Sequence, residues 1–386
     1  MGELSRRGRA LSVIAAALAL LVAVSLVYLR PGSRFSPSTP RGAGSEGVGP
    51  ADFLSAGTGW LARGSTVLAT SDGGSHWRPI LTLPALAVTW VRLFDERHGL
   101  VFGSDQADAG HSQRLVRTED GGANWTEERL PGTGTLVQPA SLLAFPDRLH
   151  GWYVVGDASG AGPRDLSLYR TDDGGMSWWR LESLDFLRPS DHGLSRGGIP
   201  IGLDFTDGQR GWLVQAPVIV SDAVLSTTTD GGASWQRVPL AAAPDDARPL
   251  SELRVPQLFS DGTALLWATR GFLDATAYVY RSEDGGRTWD TPTQLPAPAG
   301  LTAFVDATHW WRAAGIAAAV SSDGGRTWRL GAPTPDHEPL AWVQPVNRVS
   351  GWGITATPGG NLPAGQVLRT DDAAEHWQSV HIDAEA

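Results

Sequence analysis

The sequence predicts an all-β chain: a seven-bladed β-propeller of four-stranded antiparallel blades, preceded by one N-terminal transmembrane helix. Three observations carry this expectation. An eight-residue motif ending in Trp recurs seven times at intervals near 50 residues. A Phe-to-Gly-Trp motif recurs upstream of most copies. An uncharged apolar run follows an arginine cluster at the N-terminus.

The octets read TSDGGSHW (70–77), TEDGGANW (118–125), TDDGGMSW (171–178), TTDGGASW (228–235), SEDGGRTW (282–289), SSDGGRTW (321–328) and TDDAAEHW (370–377). Their aspartates, Asp72, Asp120, Asp173, Asp230, Asp284, Asp323 and Asp372, are separated by 48, 53, 57, 54, 39 and 49 residues. A period near 50 fits a four-stranded blade. Asp before Gly-Gly signals a tight hairpin, because glycine reaches positive φ and the carboxylate accepts backbone N–H groups of its own turn. The closing Trp77, Trp125, Trp178, Trp235, Trp289, Trp328 and Trp377 start the next strand and can pack over the turn. The residue three before each Ser/Thr is apolar (Val67, Leu115, Leu168, Leu225, Val279, Ala318, Val367), as a preceding strand requires. Arg precedes the octet in four copies: Arg117, Arg170, Arg281 and Arg369.

The upstream motif reads FLSAGTGW (53–60), FPDRLHGW (145–152) and FTDGQRGW (205–212). LFDERHGL (93–100), FVDATHWW (304–311) and VSGW (349–352) are looser, and FSDGTALLW (259–267) is read as a degraded copy starting at Phe259. The Phe ends a first strand and the Gly-Trp begins a second. Each repeat thus holds strands a to d, with the octet between c and d. Blade one has its own first strand and WQSVHID (377–383) supplies the last blade's fourth, so the ring closes without lending a strand across the seam.

These octets closely resemble the BNR, or Asp-box, repeat. The combined F…GW…(S/T)xDGGxxW pattern resembles the propellers of photosystem II stability/assembly factors, and the box also occurs in sortilin-type receptors, sialidases and xyloglucanases. The resemblance covers 51–386 and implies a propeller with no single activity; the photosystem type implies help in assembling membrane complexes. The last box departs from the pattern, with Asp372-Ala-Ala-Glu in place of Asp-Gly-Gly-x.

Residues 1–9 contain Arg6, Arg7 and Arg9, and 10–29 is ALSVIAAALALLVAVSLVYL. Twenty helical residues span about 30 Å, the hydrocarbon thickness of a bilayer. Arginines on the N-terminal side keep 1–9 in the cytoplasm and send the rest across the cell membrane. A signal peptide cleaved after Ala19 is the rival reading. Residues 30–50 are rich in Pro, Gly and Ser and read as a flexible linker; 51–386 is the propeller. Residues 1–49 hold six Arg and two Glu, a net +4, leaving −14 of the total −10 on the exported part.

Composition narrows the chemistry. The 386 residues include no cysteine, which excludes disulfides, thiolate metal sites and a lipid-modified cysteine. All 31 basic residues are arginine, which excludes Walker-type loops and Schiff-base chemistry. An acidic chain is a poor ligand for nucleic acid. The nine histidines form neither HxH nor HExxH, so no metal and no cofactor are expected.

One octet per blade cannot converge on one substrate, so the octets read as scaffold. The Gly-Trp tryptophans read as inter-blade core. The b–c and d–a loops on the opposite face are the expected binding face. Its candidates are Asp105, His111, Asp157, Asp185, Asp191, His192, Arg196, Asp245 and Asp246. A sialidase needs an arginine triad and a paired Tyr nucleophile, whereas Tyr153, Tyr169, Tyr278 and Tyr280 fall in predicted strands. A pair of loop carboxylates ~5–10 Å apart would serve a glycosidase, but nothing singles out a pair. The expected role is a non-catalytic platform with the membrane and a protein or glycan as partners. An exo-acting glycoside hydrolase or sialidase-like enzyme is the alternative, and a wall-associated structural protein a third class.

Overall fold

The computed structural model describes residues 48–108, 112–131, 142–156, 166–184, 192–194, 198–217, 222–244, 246–271, 275–296, 302–356 and 363–382. They form seven antiparallel sheets arranged as the blades of a propeller. Blade 1 runs from Val48–Phe53 to Arg78–Thr82, blade 2 from Leu86–Leu93 to Thr126–Arg129, and blade 3 from Leu142–Ala144 to Trp179–Leu184. Blades 4 to 7 span Gly198–Phe205 to Gln236–Arg237, Leu250–Leu253 to Thr293–Gln294, Thr302–Phe304 to Arg329–Leu330, and Leu340–Pro345 to Gln378–Val380. In every blade the strands pair in chain order, a-b-c-d. The first strand begins at Val48, inside the stretch read as linker.

Blade 5 corrects the repeat alignment. Its strand a is interrupted at 254–256, where Pro256 lacks an N–H for the ladder, and resumes as Gln257–Leu258. Leu258 pairs with Ala264, so Leu258, not Phe259, occupies the position of Phe53. Leu93 does the same in blade 2, opposite Gly99. The upstream motif therefore accepts Leu at its first position.

The seven apolar residues that precede the octets are all buried in strand c. Strand d is the exposed outer edge of each blade. Trp152, Trp212, Trp311 and Trp352 are among the largest fully buried side chains. They plug the space between blades. Trp152 of blade 3 stacks on Phe205 of blade 4, with ring centroids 3.5 Å apart, and donates to the Gly231 carbonyl at 2.8 Å.

The ring closes in the same way. Trp352 of blade 7 stacks on Phe53 of blade 1 at 4.0 Å and donates to the Ser55 carbonyl. Gln344 donates to the Phe53 carbonyl and accepts the Phe53 N–H, both at 3.3 Å. Among the described residues blade 7 is built from its own four strands and no strand crosses the seam. Among the described residues no helix is long and apolar enough to cross a membrane; 10–29 lies outside them.

Candidate functional site

Six of the seven octets share one closed set of hydrogen bonds. In blade 3 the Thr171 hydroxyl donates to Asp173 Oδ1 at 2.8 Å and accepts the Gly175 N–H at 2.9 Å. The same carboxylate accepts the Ser177 N–H and its hydroxyl, at 2.9 and 2.5 Å. The equivalent donors to Asp72, Asp120, Asp230, Asp284, Asp323 and Asp372 are His76, Asn124, Ser234, Thr288, Thr327 and His376. The indoles of Trp125, Trp178, Trp235 and Trp328 bond back to the carbonyl of the second glycine. Trp77, Trp289 and Trp377 are buried.

The first glycine ties the octet to the a–b turn of its own blade. Gly73 donates to Gly57, Gly121 to Arg97, Gly174 to Leu149 and Gly231 to Gln209, all at 2.7–2.9 Å. Both turns therefore share one face, the octet face. The a–b turns carry a second capping residue that the sequence reading missed. Asp95, Asp147, Asp207, Asp306 and Asn347 each accept two backbone N–H groups two and three residues on. An acid or amide two residues after the motif's first position was the available signal.

Arginines before the octets cross to the next blade. Arg117 donates to the Asp173 carbonyl, Arg170 to Gly231, Arg281 to Ala307 and Arg369, across the seam, to Gly73.

Hydrogen bonding holds the octet carboxylates low. Asp72 and Asp120 sit at about 2, first through the N–H of His76 and Asn124 and then through those side chains. Asp323 also sits at about 2, first through the Thr327 hydroxyl and then its N–H. A depressed carboxylate contributes stability that is full above its unfolded value, near 3.8, and lost as pH falls through the folded value. Unfolding midpoints are therefore expected to fall between about pH 4 and about pH 2, and Asp120→Asn should reduce that slope. Titrating both proteins with denaturant checks this; equal slopes would refute it.

Blade 7 keeps the turn without glycines. Ala373 and Ala374 both adopt φ 58°, and Ala373 donates to the Val349 carbonyl. Left-handed φ costs a non-glycine residue about 1–2 kcal/mol. Ala373 is half-buried, so Ala373→Gly is expected to raise stability by roughly 0.5 kcal/mol after the entropy of the unfolded glycine. Ala374 is fully buried, and removing its methyl cancels the gain. A higher melting temperature for the first variant alone is the check.

Of the candidates for the expected binding face, Asp105, His192 and Asp246 lie among the described residues. His111, Asp157, Asp185, Asp191, Arg196 and Asp245 lie outside the described residues. Asp105 ends strand b of blade 2, buried, and its carboxylate accepts from Arg114 and from the Ala107 N–H. Arg114 also pairs with Glu127 at 2.9 Å. Asp246 is buried, chelated by Arg248 at 2.9 Å and by the Tyr278 hydroxyl at 2.8 Å. Arg248 first, then Tyr278, keeps Asp246 ionised; burial and that carboxylate push the Tyr278 phenol up to about 12. His192 is elsewhere: its ring bonds the Ala233 carbonyl, and its own carbonyl accepts the Trp235 N–H. His192, in the connection between blades 3 and 4, therefore lies along the octet of blade 4, a placement loop length alone did not indicate. Among the described residues no group of three or more His, Asp or Glu is placed to hold a metal ion.

Among the described residues, large apolar side chains are exposed on the octet face and also at Ile316, in the b–c turn of blade 6, and at Leu330 in its strand d. Leu54, Leu149 and Val349 project from a–b turns and Met176 from an octet, with Trp179 just beyond it. Blade 3 concentrates them: Leu149 is 53 %, Met176 55 % and Trp179 41 % exposed. Arg170 lies 5.8 Å from the Trp179 ring and Arg117 reaches the Met176 sulfur at 3.4 Å.

Fold and turn chemistry together define a seven-bladed β-propeller of four-stranded blades, each fastened by a hydrogen-bonded c–d turn. Within that class the chain is similar to Ycf48 in sequence and fold. It is 30 % identical over 148 residues to the photosystem II assembly lipoprotein Ycf48 of Synechococcus, covering 38 % of this chain and 35 % of that protein. It is 23 % identical over 248 residues to a probable oligoxyloglucan-reducing end-specific xyloglucanase of Neosartorya fischeri, covering 62 % of this chain and 26 % of that protein. The chain thus matches about a third or less of either relative's length. No family profile matches the sequence.

Solved structures agree on the fold. YCF48 bound to D1 peptide has TM-score 0.50 at 19 % identity, covering 88 % of this chain and 99 % of that one. YCF48 from Cyanidioschyzon merolae has TM-score 0.53 at 19 % identity, covering 86 % and 98 %. The GH74 enzyme of Niastella koreensis has TM-score 0.56 at 15 % identity, covering 88 % of this chain and 55 % of that one.

Proposed function

We propose that this chain is a non-catalytic, Ycf48-like platform that binds a protein segment during assembly of a membrane complex. In this reading 10–29 anchors it in the cell membrane and the propeller lies on the extracytoplasmic side. The observation that carries the proposal is the exposure of Leu149, Met176 and Trp179, all from blade 3. Exposed aromatic and methionine side chains ringed by satisfied polar groups are the usual anchors of protein interfaces. The D1 peptide bound by a propeller of this fold supports a polypeptide ligand. The contact surface is then the octet face, not the b–c/d–a face favoured by loop length.

The glycosidase reading draws support from the xyloglucanase similarity. Against it, Asp105 and Asp246 are both engaged by arginines. Affinity capture of the full chain from native membranes tests the choice. A protein partner retained by wild type and lost from the Met176→Glu/Trp179→Ala variant is expected. Glycan hydrolysis abolished by changing Asp105 or Asp157 would overturn the proposal.

A further inference from the structure

Among the described residues five histidines of the octet face have Nδ1 on an aspartate of their own turn: His76, His98, His150, His309 and His376. His98 differs in its second nitrogen. Its Nδ1 is 2.7 and 2.8 Å from the two oxygens of Asp95, and its Nε2 is 2.8 Å from the guanidinium of Arg148 on the a–b turn of blade 3. A guanidinium only donates, so Nε2 must accept and the proton must sit on Nδ1, facing Asp95. This contact between blades 2 and 3 exists only while His98 is neutral.

We propose that the a–b turn of blade 3, residues 147–150, is a pH-dependent latch that is closed onto blade 2 through Arg148 and neutral His98 and released when that imidazole is protonated. Protonation places an N–H on Nε2 opposite a guanidinium, which removes the acceptor and sets two cations against each other. The hydrogen-bonding groups around the ring are Asp95 from its own turn and Arg148 from the neighbouring blade. Glu96 and Arg97 flank it in sequence. The octet of its own blade, with Asp120, is tied to this turn through Gly121.

The far end of the turn is held by a second histidine. His150 holds Asp147 with Nδ1 at 2.8 Å, and its Nε2 is 4.0 Å from Asp172 beside its own octet. Asp172 is itself paired with Arg170 at 2.8 Å, so Arg148 and His150 meet different partners. Leu149 lies between the two and is tied by its carbonyl to Gly174 of the octet. The latch therefore controls how Arg148 and Leu149 are presented on the surface assigned above to partner binding, and its biological meaning rests on that assignment.

Two corresponding turns show that the arrangement is specific. Arg348 of blade 7 occupies the same turn position as Arg148 but donates to the Asp306 carboxylate at 2.8 Å, a partner that stays ionised across the histidine range. In blade 4 the position is Gly208, which has no side chain to offer the adjacent His150.

Thermal unfolding of the full chain tests the latch without any partner. Arg148→Ala is expected to lower the melting temperature at about pH 8 and to have no effect at about pH 5. Arg348→Ala is expected to lower it equally at both. Nitrogen NMR of histidine-labelled protein, assigned with His98→Asn, should show His98 at about pH 8 with Nε2 unprotonated. An Arg148→Ala penalty that is equal at the two pH values, no penalty at about pH 8, or an Nε2-protonated neutral His98 would each overturn the proposal. Loss of partner capture would instead count against the platform reading and leave these measurements untouched.

Discussion

Trp152→Ala is expected to destabilise the propeller by about 3–5 kcal/mol, the range for removing a large aromatic from a packed core. Trp152 is fully buried and serves two blades at once. Its ring lies flat on Phe205, within 2° of parallel, and packs in one cluster with Leu168, Leu203 and Trp235. The cavity cannot collapse easily, because its walls belong to two sheets whose separation is set by the whole ring. Truncation also leaves the Gly231 carbonyl, inside an octet, without its indole donor. Trp179→Ala is the control: that side chain is 41 % exposed, and its loss should cost well under ~1 kcal/mol. Denaturant midpoints of the two variants separate these outcomes. Similar midpoints would contradict the inter-blade role assigned to the Gly-Trp position.

The second large effect is expected at the residue just before the motif's Trp. Gly211→Val should cost about 3 kcal/mol or more, at the upper end for overpacking a core. The reason is proximity, not backbone conformation. A Cβ on Gly211 would lie 2.5–2.6 Å from three ring atoms of Phe205. Phe205 cannot retreat, since Trp152 covers one face and Trp235 meets it edge-on at 6.1 Å. Gly59 and Gly151 face Phe53 and Phe145 in the same way. The motif thus couples an aromatic on strand a to a bare backbone on strand b. Its signature is non-additivity: in a Phe205→Ala background the penalty for Gly211→Val should shrink, because the clashing ring is gone. Additive penalties in a double-mutant cycle would refute the coupling.

Both predictions concern residues that the sequence marked, yet the reason each matters came from elsewhere. The octet was legible because its partners are local: Thr171, Asp173, Gly175 and Ser177 satisfy one another within seven residues. The a–b capping residues were equally local but were overlooked, since Ser55, Asp95, Asp147 and Asn347 vary in type. The candidate site was less legible. Asp105 and Asp246 looked available on long connections, but Arg114 and Arg248 engage them. His192 was placed by loop logic on one face and lies against the octet of blade 4.

From sequence alone came the number of blades, the turn that fastens each, the strand order and the apolar residues of strand c. All are set by periodicity and by hydrogen bonds that close within a few residues. Tertiary structure decided what those repeats touch. Arg117 finds its carbonyl 56 residues away, Arg170 61 and Arg369 296, the last only because the ring brings the first and last blades together. The pairing of Arg148 with His98, 50 residues apart, and the gathering of Leu149, Met176 and Trp179 on one blade have the same origin. Contacts between blades depend on how sheets stack around a circle, and no local pattern encodes that geometry.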